Sequence, residues 1–242
     1  MRRFRRMLLS AGMLKVENTP DLLLAKCKFL KTRKEIDECT SYLNYYGLAS
    51  HILSCKDWDL AHIIPEIGDG NFLDMGSSDS FILKNVALKG IHGEMYGIDL
   101  REPCTPIKGV KYIVGNLMDT KLPDRFFKNI TCLSVIEHEV DFSKFALEVA
   151  RLLEYEGRLF VTFDYWNPKV TPPIKMYGLD WKPLDEQALR EFIGICEGNG
   201  LALIQDMDWS LQDAVIRDGY YSPHPDVSYT FGLVVFEKNI KQ

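Results

Sequence analysis

The sequence predicts an α/β protein built on a doubly wound, mostly parallel sheet. Two observations carry this. From residue 71 onward, short apolar runs alternate with segments of helical period. The chain is also long and apolar enough, at 242 residues and 46% hydrophobic, to bury the full core of one large domain, or of one domain with an appendage.

Each element follows from its local pattern. Between Thr19 and about Ile64 the spacing of Ile36, Tyr42, Leu43, Tyr46 and Leu48 predicts helices, which Pro65 and the glycines of "GDG" punctuate. "NFLDM" reads as a short strand, "FILKNVAL" as a helix, "EMYGIDL" as a strand ending at Asp99 and "VKYIVGNL" as a strand ending near Asn116. "ITCLSVIEH" is a strand running into a turn. "DFSKFALEVARLLEYEG" places Phe142, Phe145, Ala146, Val149, Leu152 and Leu153 on one stripe, with Asp141 as N-cap and Gly157 as the stop. "RLFVTFDYW" follows as a strand. A proline-rich loop over 164–183 breaks the rhythm, and an ordered loop of that length is usually functional. "LDEQALREFIGICEGNG" resumes as a helix capped by Asp185. "LALIQDMDW" and "VSYTFGLVVFEKN" are strands, the last expected antiparallel to its neighbours.

The bulk numbers exclude some classes. A net charge of -5 gives no large basic surface for nucleic acid. The six cysteines form no C-x-x-C pair, so no zinc site is expected, and reduced thiols point to an intracellular, cytoplasmic protein. The sequence shows no compact His/Asp ligand cluster, so no metal is expected; the alternative is a site formed by Asp164 with a second carboxylate. The four arginines before the short apolar patch of residues 1–18 read as a basic, partly disordered end rather than a signal peptide, and no apolar run is long enough to span a membrane.

The chemistry starts at "FLDMGSSDS". Ligands of open α/β sheets bind at the carboxyl ends of the strands. A dinucleotide loop needs three glycines there, and only Gly76 is present, among Ser77, Ser78 and Asp79. The loop suits a ligand with an amino-acid end and a positive centre. Gly76 permits close approach, Asp74 receives an ammonium, and backbone N–H groups and serine hydroxyls meet a carboxylate. The alternative is a plain strand-to-helix turn. Asp99 ends the second strand 99 − 76 = 23 residues on, close to the spacing of roughly 20 at which a carboxylate binds the two hydroxyls of a ribose. Asn116 can bond an adenine edge, with Leu117 and Met118 packed on the ring. Its alternative is a turn residue.

Together "FLDMGSSDS", "YGIDL", "GNLMDTKLPD" and "CLSVIEHEVDFSKFALEVARLLEYEGRLFVT" resemble the class I S-adenosylmethionine-dependent methyltransferases over about residues 70–240. The resemblance implies a Rossmann-like, seven-stranded sheet with the last strand antiparallel. It implies S-adenosyl-L-methionine as cofactor and S-adenosyl-L-homocysteine as product. It places Asp74, Gly76, Ser77 and Ser78 at the methionine end, Asp99 and Leu100 at the ribose, Asn116 and Leu117 at the adenine, and Ser134, at the end of the fourth strand, as a further cofactor-binding residue. Residues 19–66 then form a helical extension covering the cofactor, and 67–242 the methyltransferase domain with its acceptor loop. The loop has shed phosphate-binding glycines because this ligand has no phosphate.

Methyl transfer needs an acceptor held in line and, for a hydroxyl, a base. His138, after the fourth strand, is the first candidate, with Glu137 or Glu139 to orient it; the alternative is a histidine that caps the turn. Asp164, after the fifth strand, is the second. "TFDYW" with the proline-rich loop resembles methyltransferases linked to bacterial or viral glycan assembly, and Tyr165, Trp166, Tyr177 and Trp181 would then stack on a sugar. His224 reads as a loop residue. The expected function is O-methylation of a sugar or other small hydroxyl acceptor. The competing readings are a cofactor-binding module without turnover, a nicotinamide-dependent oxidoreductase, and methylation of a nitrogen or a nucleic acid.

Overall fold

A computed structural model describes residues 27–78, 80–217 and 226–239. The basic N-terminal stretch, Asp79 and His224 lie outside these residues.

Chain order runs β1 (Lys28–Phe29), α1 (Arg33–Tyr45), a 3₁₀ turn (Ser54–Lys56), α2 (Asp57–Ile63), β2 (Phe72–Met75), α3 (Phe81–Lys89), β3 (Met95–Asp99), β4 (Val110–Val114) and β5 (Phe127–Leu133). It continues with α4 (Phe142–Leu152), β6 (Leu153–Tyr165), a small hairpin β7 (Lys175–Met176) and β8 (Leu179–Asp180), α5 (Glu186–Gly198), β9 (Leu201–Leu203) and β10 (Thr230–Lys238). The sheet order is β4-β3-β2-β5-β6-β10. β2 to β6 are mutually parallel, and β10 enters antiparallel to β6. β9 and β1 both pair with the far edge of β10. The expected mostly parallel sheet with an antiparallel last strand is therefore present, with one addition. Lys28 and Phe29, in the stretch read as helical, form a short strand that covers part of an edge otherwise left unpaired.

The caps follow from short polar side chains. Thr32 accepts from Glu35 N, Ser80 from Leu83 N, Asp141 from Ser143 N and Lys144 N, and Asp185 from Ala188 N. Gly157 does not stop α4. The helix ends at Leu152, and β6 starts at once, passing Gly157 through a register irregularity opposite Phe127–Asn129. Glu156 takes a φ of 58° there, and a Cβ on Gly157 would lie 2.9 Å from the Glu154 carbonyl oxygen.

The period of two in each strand sorts side chains into two cores. Leu73, Met75, Leu159, Val161, Phe163, Val234 and Phe236 face α4 and α5. Phe72, Phe160, Phe231, Leu233 and Val235 face α1 to α3. This alternation decides the site, because it puts Asp74, Thr162 and Asp164 on the face that α2 covers. Tyr165 takes the opposite face, with its ring centroid 4.2 Å from that of Phe29. Among the described residues no helix is long and apolar enough to cross a membrane.

Candidate active site

The strand ends of β2, β3, β5 and β6 converge on one edge of the sheet. After β2 the chain turns at Gly76, whose φ of +86° belongs to the left-handed region. A Cβ there would meet Val135 Cγ2 at 2.3 Å. Gly76 N and Ser77 N both donate to the Ile98 carbonyl, at 2.8 and 3.1 Å, which clamps the turn against β3. Asp74 is buried and accepts from Thr131 Oγ1 at 2.6 Å, its neighbour in the β2–β5 register. Burial raises its pKa to about 6, against hydrogen bonds from Ser80 and Thr131 that pull it down.

Asp99 sits at the tip of β3, where its two oxygens accept from Ser78 N and Arg101 N, each at 3.1 Å. Two backbone donors thus hold the carboxylate in one orientation, and each oxygen keeps a lone pair for an incoming hydroxyl. Leu100 beside it is 60% exposed, an uncovered apolar surface. Asn116 turns its own loop: its side-chain oxygen accepts from Met118 N at 2.8 Å. The turn-residue reading of Asn116 therefore describes its side-chain oxygen. The cradle fits S-adenosylmethionine: a left-handed glycine, a buried Ser77 Oγ without a partner, and a pre-oriented carboxylate flanked by apolar surface.

Beyond the cradle lies a compact charged cluster. Asp164 is 6% exposed and has both oxygens engaged, Oδ2 by Trp181 Nε1 at 2.8 Å and Oδ1 by Lys56 Nζ at 3.5 Å. Lys56 also donates to Ser134 Oγ at 2.5 Å and stands 3.9 Å from Asp59 Oδ2. Asp59 accepts from Thr162 Oγ1 at 3.3 Å. Glu137 Oε1 accepts from Asp164 N at 3.3 Å, while Glu137 Oε2, Asp59 Oδ1 and His138 Nδ1 are buried without a partner. Burial, then Asp164, raises the Glu137 pKa well above the ordinary carboxyl value. Burial raises Asp59 to about 6 despite Lys56. His138 is pushed below the usual histidine value, first by burial and then by Lys56, against the pull of Asp164 and the Asp180 backbone. These influences together favour the neutral imidazole.

The aromatic residues of the acceptor loop divide. Trp181 is 0% exposed, against Tyr229 at 5.2 Å, and Tyr165 is 3% exposed on the other face of the sheet. These two expected stacking surfaces are core residues, because alternation along β6 and the hydrogen bond to Asp164 turn them inward. Trp166 is half-buried. Tyr177 is 72% exposed at the tip of the β7–β8 hairpin, where Tyr177 and Gly178 both take positive φ, as a two-residue hairpin turn requires. The Tyr177 carbonyl accepts from the Arg101 guanidinium, and its ring lies 6.0 Å from that of His138. The hairpin thus crosses from the His138 turn to the Asp99 turn.

Lys56, Asp59, Thr131 and Arg101 escaped the sequence reading. A signal for the first two exists. "CKDWDLAHII" packs charges into a helix buried all round, and charges are retained in such a place only when paired. Among the described residues no group of three or more His, Cys, Asp or Glu is arranged to hold a metal ion.

Residues 73–161 match the family described as "Methyltransferase domain". No curated protein matches the chain. Among solved structures the chain is similar to an S-adenosylmethionine-dependent methyltransferase from Mesorhizobium loti, at 15% identity over 76% of this chain and 98% of that one, TM-score 0.55. It is also similar to the 1,6-didemethyltoxoflavin-N1-methyltransferase of Burkholderia thailandensis, solved with S-adenosylhomocysteine, at 11% identity, 86% of each chain and TM-score 0.58. A third is the geranyl diphosphate C-methyltransferase of Streptomyces coelicolor, at 14% identity, 85% and 86% coverage and TM-score 0.54. At these identities the structures speak for the fold. The family match covers the strands and turns that build the cradle, and the fold is the one that these methyltransferase structures share.

Proposed function

We propose that the protein transfers a methyl group from S-adenosylmethionine to a hydroxyl of a sugar-like or other small acceptor, with His138 as general base. The observation that carries this is the division of labour in the charged cluster. Asp164 has a donor on each oxygen, whereas His138 keeps a buried Nδ1 with no partner. When bound, S-adenosylmethionine supplies a methyl group made electrophilic by its sulfonium. Asp99 would hold the ribose hydroxyls, and Ser77 with the N–H groups of the Gly76 turn the amino-acid end. His138 would take the acceptor proton at Nδ1, and Asp164 would stabilise the imidazolium that forms. The Tyr177 hairpin would exclude water from this end of the cleft, and Trp166 and Tyr177 are the rings left to meet an acceptor.

A nitrogen acceptor is the second reading. It is favoured by three carboxyl groups, Asp59, Glu137 and Asp164, around one ammonium. Turnover of S-adenosylmethionine by purified protein, with paired hydroxyl and amino forms of one acceptor skeleton, separates the two. Formation of S-adenosylhomocysteine with neither, despite measurable cofactor binding, would instead favour a module without turnover.

A further inference from the structure

We propose that Lys56 is a positioning residue of the methyl-transfer centre: its ammonium fixes the Ser134 hydroxyl and the Asp164 carboxylate beside His138, so the segment preceding the domain match supplies part of the catalytic geometry. The proposal rests on the reading of His138 given above. It names a residue outside the matched stretch, residues 73–161.

Geometry carries the argument. Lys56 closes the 3₁₀ turn that starts α2, and its side chain, 19% exposed, reaches the ends of three strands. It meets Ser134 after β5, Asp164 in β6 and the ring of Phe231 in β10, with Nζ 3.6 Å from the ring centroid. Ser134 is held in the left-handed region at φ 54°, with its N–H on the Thr162 carbonyl, so its hydroxyl has little freedom to leave Lys56. A buried ion pair is weak support for stability, because desolvation offsets the attraction. Placed where an open α/β sheet binds its ligands, this pair instead sets the orientation and the field of the groups around it.

Burial works against the Lys56 charge, but Asp164, Asp59 and Glu137 outweigh it, and its pKa lies above the ordinary lysine value. Lys56 is thus a permanent donor and cannot serve as the base. Its field reaches His138, where it favours the neutral imidazole. The groups acting on His138 are Asp164 from β6, Lys56 from the α2 start, and the Asp180 backbone and Tyr177 ring from the hairpin. Glu137 and Glu139 are its chain neighbours, and Asp59, Tyr229 and Lys182 act on those groups in turn, on Lys56, on Asp164 and on Glu139. Lys56 and Asp164 act on His138 with opposite sign.

The test follows the His138 imidazole by NMR titration of the full chain, assigned among the five histidines by its loss in His138→Ala. This needs no acceptor, so it separates the role of Lys56 from the choice of substrate. In Lys56→Met the imidazole should titrate at higher pH than in wild type. Adding Asp164→Asn should bring it back down. Adding Lys56→Met to the Asp164→Asn protein should again raise it, a comparison that leaves one buried carboxylate fewer without its ammonium should the single variant fail to fold. On any acceptor that turns over, kcat should fall about 10²-fold with S-adenosylhomocysteine affinity nearly unchanged. An imidazole that titrates at the same pH with and without Lys56, in either background, overturns the proposal. So does a Lys56→Met enzyme with wild-type kcat.

Discussion

Trp181 Nε1 donates to Asp164 Oδ2 across 2.8 Å, and the two residues are 0% and 6% exposed. The contact ties the acceptor loop to the end of β6. Its partner on the opposite oxygen is Lys56, from a segment 108 residues earlier. Trp181→Phe keeps the ring volume nearby but leaves a buried carboxylate oxygen without its donor. The expected cost is about 1–3 kcal/mol of stability, read by chemical denaturation, with S-adenosylhomocysteine affinity unaffected. An unchanged midpoint would mean that the indole does not hold Asp164 in solution.

Asp99→Ala should weaken S-adenosylhomocysteine binding by about 1.5–3 kcal/mol for each charge-assisted bond lost to the ribose, measured by calorimetry. Asp99→Asn should lose less, because one side-chain oxygen can still take the Ser78 or Arg101 N–H. Equal affinity in wild type and Asp99→Ala would move the ribose elsewhere.

Gly76→Ala meets two obstacles. A φ of +86° is unfavourable for any residue with a Cβ, and the added methyl would lie 2.3 Å from Val135 Cγ2. The variant should lose about 1–3 kcal/mol and bind cofactor poorly. Val135→Ala in the same chain should relieve the clash but not the backbone term, so the rescue should be partial. Full recovery would show that only the contact mattered.

Asp74 makes stability depend on pH in a known direction. Its folded pKa, about 6, lies above the unfolded value near 4, so the protonated form is favoured by folding. That contribution is complete below about pH 4 and is lost as pH rises through about 6. Asp74→Asn, which cannot ionise, should flatten the stability profile across this window. A wild-type profile that parallels that of the variant there would refute a buried carboxyl whose burial outweighs its hydrogen bonds.

Methyl transfer should gain rate with pH through one ionisation below the ordinary histidine value, because burial depresses the His138 pKa. Above it the neutral imidazole accepts the proton. His138→Ala should lower kcat by roughly 10²–10⁴-fold with cofactor affinity nearly intact. A variant that melts and turns over like wild type would transfer the role of base away from His138.

The local patterns of this chain determined its elements and the turns at the strand ends. Strand period, caps such as Asp141 and Asp185, and the single glycine after "NFLDM" are short-range facts, set by backbone sterics and by hydrogen bonds within a few residues. They placed Asp74, Gly76 and Asp99 at one edge of a sheet before any coordinates. The end of α4 shows where this fails. Gly157 looked like a stop, but pairing with β5 extended β6 back to Leu153, a cross-strand effect invisible along the chain. The tertiary structure alone decided which face each strand residue met. By alternation Asp164 turned toward α2 and Tyr165 away from it, and Trp181 went into the core, so an expected stacking surface became a hydrogen-bond donor. Lys56 joined the centre only because α2 packs on that same face. A contact across 108 residues has no local signature, and only the folded sheet brings its partners within 3.5 Å.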